Sequence, residues 1–378
     1  MVNLTTVHAS NALLPSLGPG KIALFVGATS GIGLATLTAF ARNADRPRVY
    51  IVGRNEQKLS TIIADLQKVN GGGVFVPILS EIRLFSFVDA ACEMFKQQEK
   101  RLDLLVMSPG QLKIARQGMS WKRERIIHSH TACHKPTVEP THQHPLTLPP
   151  HPADNEDGIS ESLSFTYYLR MRFIHSLLPH LLAAPTARIL SIHFAGKEGR
   201  LIESDLLLQR SYSFPNAGMH TATMTSLALE AIAAKYETIS CVHVYPGLVF
   251  TEGKQVFTAD WPWVLSALWH KVLTPLLMPL SVGLEESGAR NCYLATSGRY
   301  PARGVREAPE AGVERAEGIS VARGSDWEVG SGCYLLSWAG EEVGKRELME
   351  SYRERGMGEK IWEHTREVFE GGAKEEGT

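Results

Sequence analysis

Seven residues, Gly27-Ala28-Thr29-Ser30-Gly31-Ile32-Gly33, stand between an apolar run at 21–26 (KIALFV) and a stretch with helical apolar spacing at Leu34, Leu37 and Phe40. Glycines so spaced have a chemistry of their own, because they let backbone amides close around a diphosphate. Gly27 permits the turn, Gly31 allows close approach of the backbone, and Gly33 lets the helix pack on the strand. The diphosphate then faces the first helical turn, where amides lack partners and the dipole favours negative charge. Thr29, Ser30 and Ile32 join the three glycines as candidate cofactor contacts. The strand–turn–helix context separates this pattern from an ordinary glycine turn.

A second apolar run, residues 48–52 (RVYIV), ends in Gly53-Arg54-Asn55. An acid at that place would bond a ribose 2′-hydroxyl, as NAD requires. Arg54 instead offers a planar guanidinium that can grip a 2′-phosphate with two hydrogen bonds. The site is therefore expected to hold NADP, with Arg54 and Asn55 at the adenosine end. A solvated surface arginine is the alternative.

The elements that must position these groups read as alternating strands and helices. Apolar runs at 102–107 (LDLLVM), 188–192 (RILSI) and 239–244 (ISCVHV) suit strands buried on both faces of a parallel sheet. The fold class expected is α/β, a doubly wound parallel sheet of the Rossmann type. It spans residues 18–300 as one domain, interrupted by a disordered insert at 117–155. A C-terminal extension, 301–378, is expected to add a last strand (GSGCYLLSW) and a pair of amphipathic helices docked through Leu348, Tyr352, Ile361, Trp362 and Phe369.

With these strands in order, the chain resembles the short-chain dehydrogenase/reductase family over about residues 20–300, and more narrowly a divergent fungal group of it. The spacing of Gly27, Gly31 and Gly33 carries the resemblance. So does Ser108-Pro109-Gly110, where the family has Asn-Ala-Gly beside the adenine ribose. Pro246-Gly247-Leu248-Val249-Phe250-Thr251 is similar to the family segment that closes over the nicotinamide. The resemblance implies cofactor contacts from Ser108, Gly110, Pro246, Gly247, Val249 and Thr251, and an NADP(H)-dependent oxidoreductase.

The family chemistry uses a tyrosine whose phenol is brought toward working pH by a lysine four residues on. It adds a serine beside the fifth strand and an asparagine in the preceding helix. Here Tyr212 offers the phenol, but Asn216 stands where the lysine belongs. The serine place falls at Phe194, with Ser191 and His193 as neighbouring substitutes, and the asparagine place at Thr166. His193 or His220 could supply acid/base function, since imidazole titrates in the needed range. The catalytic candidates are Tyr212, Ser191, His193 and Asn216. Each also has an ordinary packing role open to it, so two functions stand side by side. One is a reductase or dehydrogenase acting on the carbonyl or alcohol of an apolar small molecule, of the kind found in fungal secondary metabolism. The other is a catalytically degenerate nucleotide-binding protein, or a non-redox isomerase or dehydratase.

Composition removes other classes. A formal net charge of −1 argues against a nucleic-acid partner. Five scattered cysteines read as reduced thiols, and the start has no secretory pattern, so a cytoplasmic location is expected. The apolar stretch at 261–284 is broken by His270, Lys271 and prolines, which argues against a membrane span. Its Trp261, Trp263, Leu265, Leu268, Trp269, Val272, Leu276 and Leu277 suit a lid over an apolar substrate; a dimer face or membrane-surface helix would use the same residues, leaving homo-oligomerisation open. Between Leu112 and Ser160 the composition shifts to proline and to six of the 14 histidines, without apolar periodicity. His128, His130, Cys133 and His134 match no standard metal spacing, and no metal site is expected. Joining Gln117 to Asn155 would restore a family-like connection, so residues near 118–154 are read as translated intron, with a regulatory loop as the alternative.

Overall fold

The computed structural model describes residues 1–110, 154–250, 269–306, 308 and 311–371. The expected insert as far as residue 153 and the lid residues Trp261, Trp263, Leu265 and Leu268 lie outside these residues, as does Thr251.

Seven parallel strands form one sheet in the order β3-β2-β1-β4-β5-β6-β7. They are β1 (Ile22–Val26), β2 (Arg48–Gly53), β3 (Val74–Leu79), β4 (Leu104–Met107), β5 (Ala187–Ile192), β6 (Ile239–Tyr245) and β7 (Cys333–Ser337). The doubly wound expectation holds. The central strands are buried almost throughout, as continuous apolar runs require when helices cover both faces. Only β3, at the edge, exposes Val74 and Leu79 and tolerates Pro77.

Helices α1 (Leu4–Ala12), α2 (Gly31–Asn43), α3 (Glu56–Val69) and α7 (Leu284–Thr296) lie on one face. Gly288 makes the α7–α2 contact possible, since a Cβ there would meet the Ala35 carbonyl oxygen at 2.5 Å. The N-terminal helix is sewn to α7 by Asn11 Nδ2 donating to Ala289 O and Arg290 Nη1 donating to Val2 O, both at 2.9 Å.

Helices α4 (Phe85–Lys96), α5 (Leu169–Leu182), α6 (Phe214–Lys235), α8 (Arg346–Glu354) and α9 (Met357–Phe369) cover the other face. The last pair docks as the charge-alternating tail suggests: Tyr352 and Ile361 are buried, while Trp362 and Phe369 pack partly buried. The Tyr167 and Thr365 hydroxyls lie 2.7 Å apart. Arg172 binds Asp89 with two hydrogen bonds, at 2.8 and 2.7 Å, and stacks on Phe369. The extension beyond residue 300 thus contributes β7 to the sheet and two helices to the core.

The chain enters α5 through a turn at Asp154–Ser160 and a π-helical segment, Ser164–Tyr168. Asn155 Oδ1 accepts from the Asp157 and Ile159 amides, and Asp157 Oδ2 accepts from the Phe85 amide. Asn155, at the expected end of the insert, already belongs to this turn.

Candidate active site

The strand order reverses between β1 and β4, and in such sheets a crevice opens beyond the carboxyl ends of the strands at that point. The glycine loop lies there. Gly27, with φ +82°, sits so close to the end of β4 that a Cβ would meet Pro109 N at 2.5 Å. At Gly33 a Cβ would collide with Ser108 Oγ and Gly27 O. Ser108 Oγ donates to Gly27 O at 3.1 Å, fastening β4 to the loop. Ser30 is the N-cap of α2 but makes no capping hydrogen bond, so the first amides of the helix face the crevice without a side-chain partner. This is a backbone cradle that a side chain would fill, and it fits a diphosphate.

Beyond β2, Arg54 is exposed and pairs with no carboxylate among the described residues. It borders a shallow open groove with Leu79, Ser80 and Glu81. The neighbouring Gly53 holds the loop close: a Cβ there would strike Thr29 Cγ2 at 2.7 Å. Asn55 Oδ1 accepts from the Lys58 amide at 2.8 Å, so this side chain also caps α3. Gly110 is exposed at the crevice side of β4. Beyond β6, Gly247 has φ +76° and backs onto Trp338, while Leu248 O accepts from the Val282 amide at 2.9 Å. Pro246 and Val249 are partly buried in this segment.

The catalytic candidates fall into two groups. Ser191 lies on β5 and His193 is the first residue past it. Ser191 is fully buried and accepts from Arg170 Nη1 at 3.0 Å. His193 is 8% exposed, and neither ring nitrogen has a hydrogen-bond partner among the described residues. Burial, with Arg170 and His243 nearby, holds its pKa well below the usual imidazole value. Tyr212 and Asn216 form the second group. The Tyr212 phenol is partly buried, which raises its pKa, and a hydrogen bond with Ser162 opposes that only in part. Asn216 is exposed at the start of α6. Thr166 donates to Ser162 O at 2.6 Å. His220 is committed elsewhere, with Nδ1 accepting from the Ile202 amide and Nε2 close to Leu206 O.

Four functional candidates escaped sequence reasoning. Arg170 is almost completely buried and donates to the carbonyls of Met107 and Pro109 as well as to Ser191. Desolvation lowers its pKa to about 9. Ser226 Oγ lies 2.9 Å from both Glu198 Oε1 and His243 Nδ1, and all three residues are buried. The His243 ring is nearly parallel to that of His193, with centroids 6.1 Å apart. Polar residues inside otherwise apolar patterns, such as Arg170 in LRMRF and His243 in ISCVHV, were the available signal.

The family model for short chain dehydrogenases matches residues 21–128. Oxidoreductase AN1596 of Emericella nidulans is 36% identical, with 98% of each chain aligned. Short-chain dehydrogenase/reductase SAT2 of Stachybotrys chartarum is 29% identical over 100% of this chain and 99% of its own. The chain belongs to the short-chain dehydrogenase/reductase family. Oxidoreductase andH of Emericella variicolor is 33% identical over 98% of this chain and 97% of its own. Among solved structures, L-sorbose reductase from Gluconobacter frateurii, complexed with NADPH and L-sorbose, is 18% identical, with a TM-score of 0.49 over 74% of this chain and 91% of that one. This short-chain dehydrogenase/reductase is an oxidoreductase by type, and among its described residues no helix is long and apolar enough to cross a membrane.

Proposed function

We propose that this short-chain dehydrogenase/reductase uses NADP(H) to reduce the carbonyl of an apolar small molecule. One observation carries the reading: the glycine loop at the open N-terminus of α2 packs on Gly53 at the end of β2, and the next residue, Arg54, is exposed and pairs with no carboxylate among the described residues. The amides suit the diphosphate and Arg54 suits the 2′-phosphate. The glycine-loop residues, Ser108, Gly110 and the 246–250 segment complete the proposed nucleotide contacts. A bound nicotinamide supplies the hydride; this chain's residues orient the carbonyl and supply the proton.

His193 is the proposed proton donor. It is buried, neutral and, among the described residues, unpartnered just past the carboxyl end of β5, and a neutral imidazole can donate to a carbonyl oxygen. A phenol held above its ordinary pKa, as Tyr212 is, stays protonated at neutral pH and is a poor base for alcohol oxidation. This favours reduction. Exposed Val272, Leu273, Leu276 and Met278 lie on the segment leading to Val282, which is bonded to Leu248. An apolar surface so tied to the 246–250 segment supports an apolar substrate. Fungal sources of the aligned relatives support a role in fungal small-molecule chemistry.

Asn216 in place of the family's lysine favours a second reading, nucleotide binding without hydride transfer. Titration with NADPH and NADH, followed by nucleotide fluorescence, tests the cofactor; NADPH is expected to bind at least about tenfold tighter. NADPH oxidation with 9,10-phenanthrenequinone and apolar ketones tests the chemistry. Binding without any oxidation supports the second reading, and equal affinity for NADH removes the role of Arg54.

A further inference from the structure

Behind His193 lies a row of buried polar groups that simple packing does not account for. Glu198 Oε1 accepts from the Gly196 amide at 3.1 Å and from Ser226 Oγ at 2.9 Å. Ser226 Oγ is also 2.9 Å from His243 Nδ1. A serine hydroxyl has one hydrogen, so it cannot donate to both neighbours. When it donates to Glu198, it must accept from His243 Nδ1–H. When Glu198 carries a proton and donates to Ser226, the serine donates to His243 Nδ1, and the imidazole hydrogen sits on Nε2. The ionisation of Glu198 and the tautomer of His243 are therefore linked through one hydroxyl. At the far end, His243 Nε2 and both nitrogens of His193 have no partner among the described residues, and neither does Glu198 Oε2. Buried polar atoms left in this way are costly and rare.

We propose that Glu198, Ser226 and His243 form a proton relay that resupplies His193 during carbonyl reduction. The inference rests on the reading of His193 as the proton donor. As hydride forms the new C–H bond, the carbonyl π electrons move to oxygen, which takes a proton from one ring nitrogen of His193. The other nitrogen receives a proton from His243 Nε2–H. Rings 6.1 Å apart at their centroids require one bridging hydroxyl, a water, to pass it on. Ser226 gives its proton to His243 Nδ1 and takes one from the Glu198 carboxyl. Glu198 ends as a carboxylate, both imidazoles end neutral with exchanged tautomers, and the product is the alcohol.

The surroundings suit this traffic. Arg170 from α5 disfavours the cationic forms of both imidazoles, and the rings of His193, just past β5, and His243, on β6, lie nearly parallel. Burial favours the protonated Glu198, opposed by hydrogen bonds from its own amide, Ser226 and the Gly196 amide and, last, by Lys345 just ahead of α8. Ser226 from α6 is uncharged.

The decisive measurement is long-range proton–nitrogen NMR of histidine-labelled protein without cofactor. The His243 ring is expected to stay neutral while its hydrogen moves from Nε2 to Nδ1 as Glu198 ionises with rising pH. Ser226→Ala should abolish that switch, and Ser226→Thr, which keeps a hydroxyl, should preserve it. With phenanthrenequinone, Ser226→Ala and Glu198→Gln should lower kcat about ten- to a hundredfold, with NADPH affinity within about twofold of wild type. A tautomer indifferent to pH, or an unchanged kcat in Ser226→Ala, overturns the relay. If Ser226→Ala does not fold, the wild-type tautomer titration alone decides. His193→Gln separates the two ideas: its inactivity beside an active Ser226→Ala removes only the relay, whereas its full activity removes the assignment of His193 as donor.

Discussion

Arg170 Nη1 donates to Ser191 Oγ at 3.0 Å, tying α5 to β5 through a guanidinium that no carboxylate balances among the described residues. The same guanidinium holds the carbonyls of Met107 and Pro109, at the end of β4. Arg170→Met would leave these acceptors without donors, at about 1–3 kcal/mol each, offset in part by relief from burying an unpaired charge. A net loss of about 2–3 kcal/mol is expected in urea unfolding. Stability equal to wild type would mean that the carbonyls find other donors.

Gly33→Ala should damage nucleotide binding before it damages the fold elsewhere. The new methyl would meet Ser108 Oγ and Gly27 O well inside contact distance, forcing the loop from β4. A destabilisation of about 1–3 kcal/mol is expected, with NADPH affinity down at least about tenfold. Fluorescence titration checks the second figure, and wild-type affinity would contradict the proposed seat of the diphosphate.

Arg54→Ala should act on one nucleotide only. NADPH affinity is expected to fall about 10- to 100-fold, with NADH affinity within about threefold, because only the 2′-phosphate uses the guanidinium. Parallel losses for both nucleotides would show that Arg54 serves the loop rather than the phosphate.

Tyr212→Phe and His193→Gln distinguish the two acids. The Tyr212 phenol is engaged with Ser162, so its loss is expected to leave kcat within about threefold. His193→Gln should lower kcat about a hundredfold or more. The reverse order would return the role to Tyr212, with Asn216 and Thr166 as unusual neighbours.

Buried histidines should make the fold acid-sensitive. Burial pushes His220 down to about 4 and His243 to about 3, with His193 also well below 6.5. Below pH 6.5 the unfolded chain binds protons at these sites while the native chain does not, so stability rises with pH between about 4 and 6.5. Each histidine contributes up to about 1.4 kcal/mol per pH unit in that window. Glu198 and Glu230, held above their ordinary values by burial, act in the opposite direction above pH 4.5 and soften the slope. Urea midpoints at pH 5, 6 and 7 should rise in that order, and His220→Gln should flatten the trend by about one proton. Equal midpoints that His220→Gln leaves unchanged would show that the His220 ring is protonated in the folded protein.

The glycine loop, most of the strands and the tail helices were legible in the sequence because each rests on local rules. Continuous apolar runs made β1, β4, β5 and β6 readable, and glycine spacing fixed the first turn. Charge alternation marked α8 and α9. By contrast, β3 is an edge strand with a proline and with Val74 and Leu79 exposed, and α1 has almost no apolar face of its own. Both elements take their stability from neighbours distant in sequence.

What the sequence determined by itself was the sheet, the glycine loop at its switch point and the absence of the usual lysine after Tyr212. Tertiary structure decided which polar residues meet. Arg170, Ser191, His193, Glu198, Ser226 and His243 come from two helices, two strands and a loop. They converge because parallel strands bring their carboxyl ends to one edge, while α5 and α6 cover one face of the sheet. No spacing along the chain encodes that meeting, since it depends on crossovers and packing rather than on neighbours in sequence.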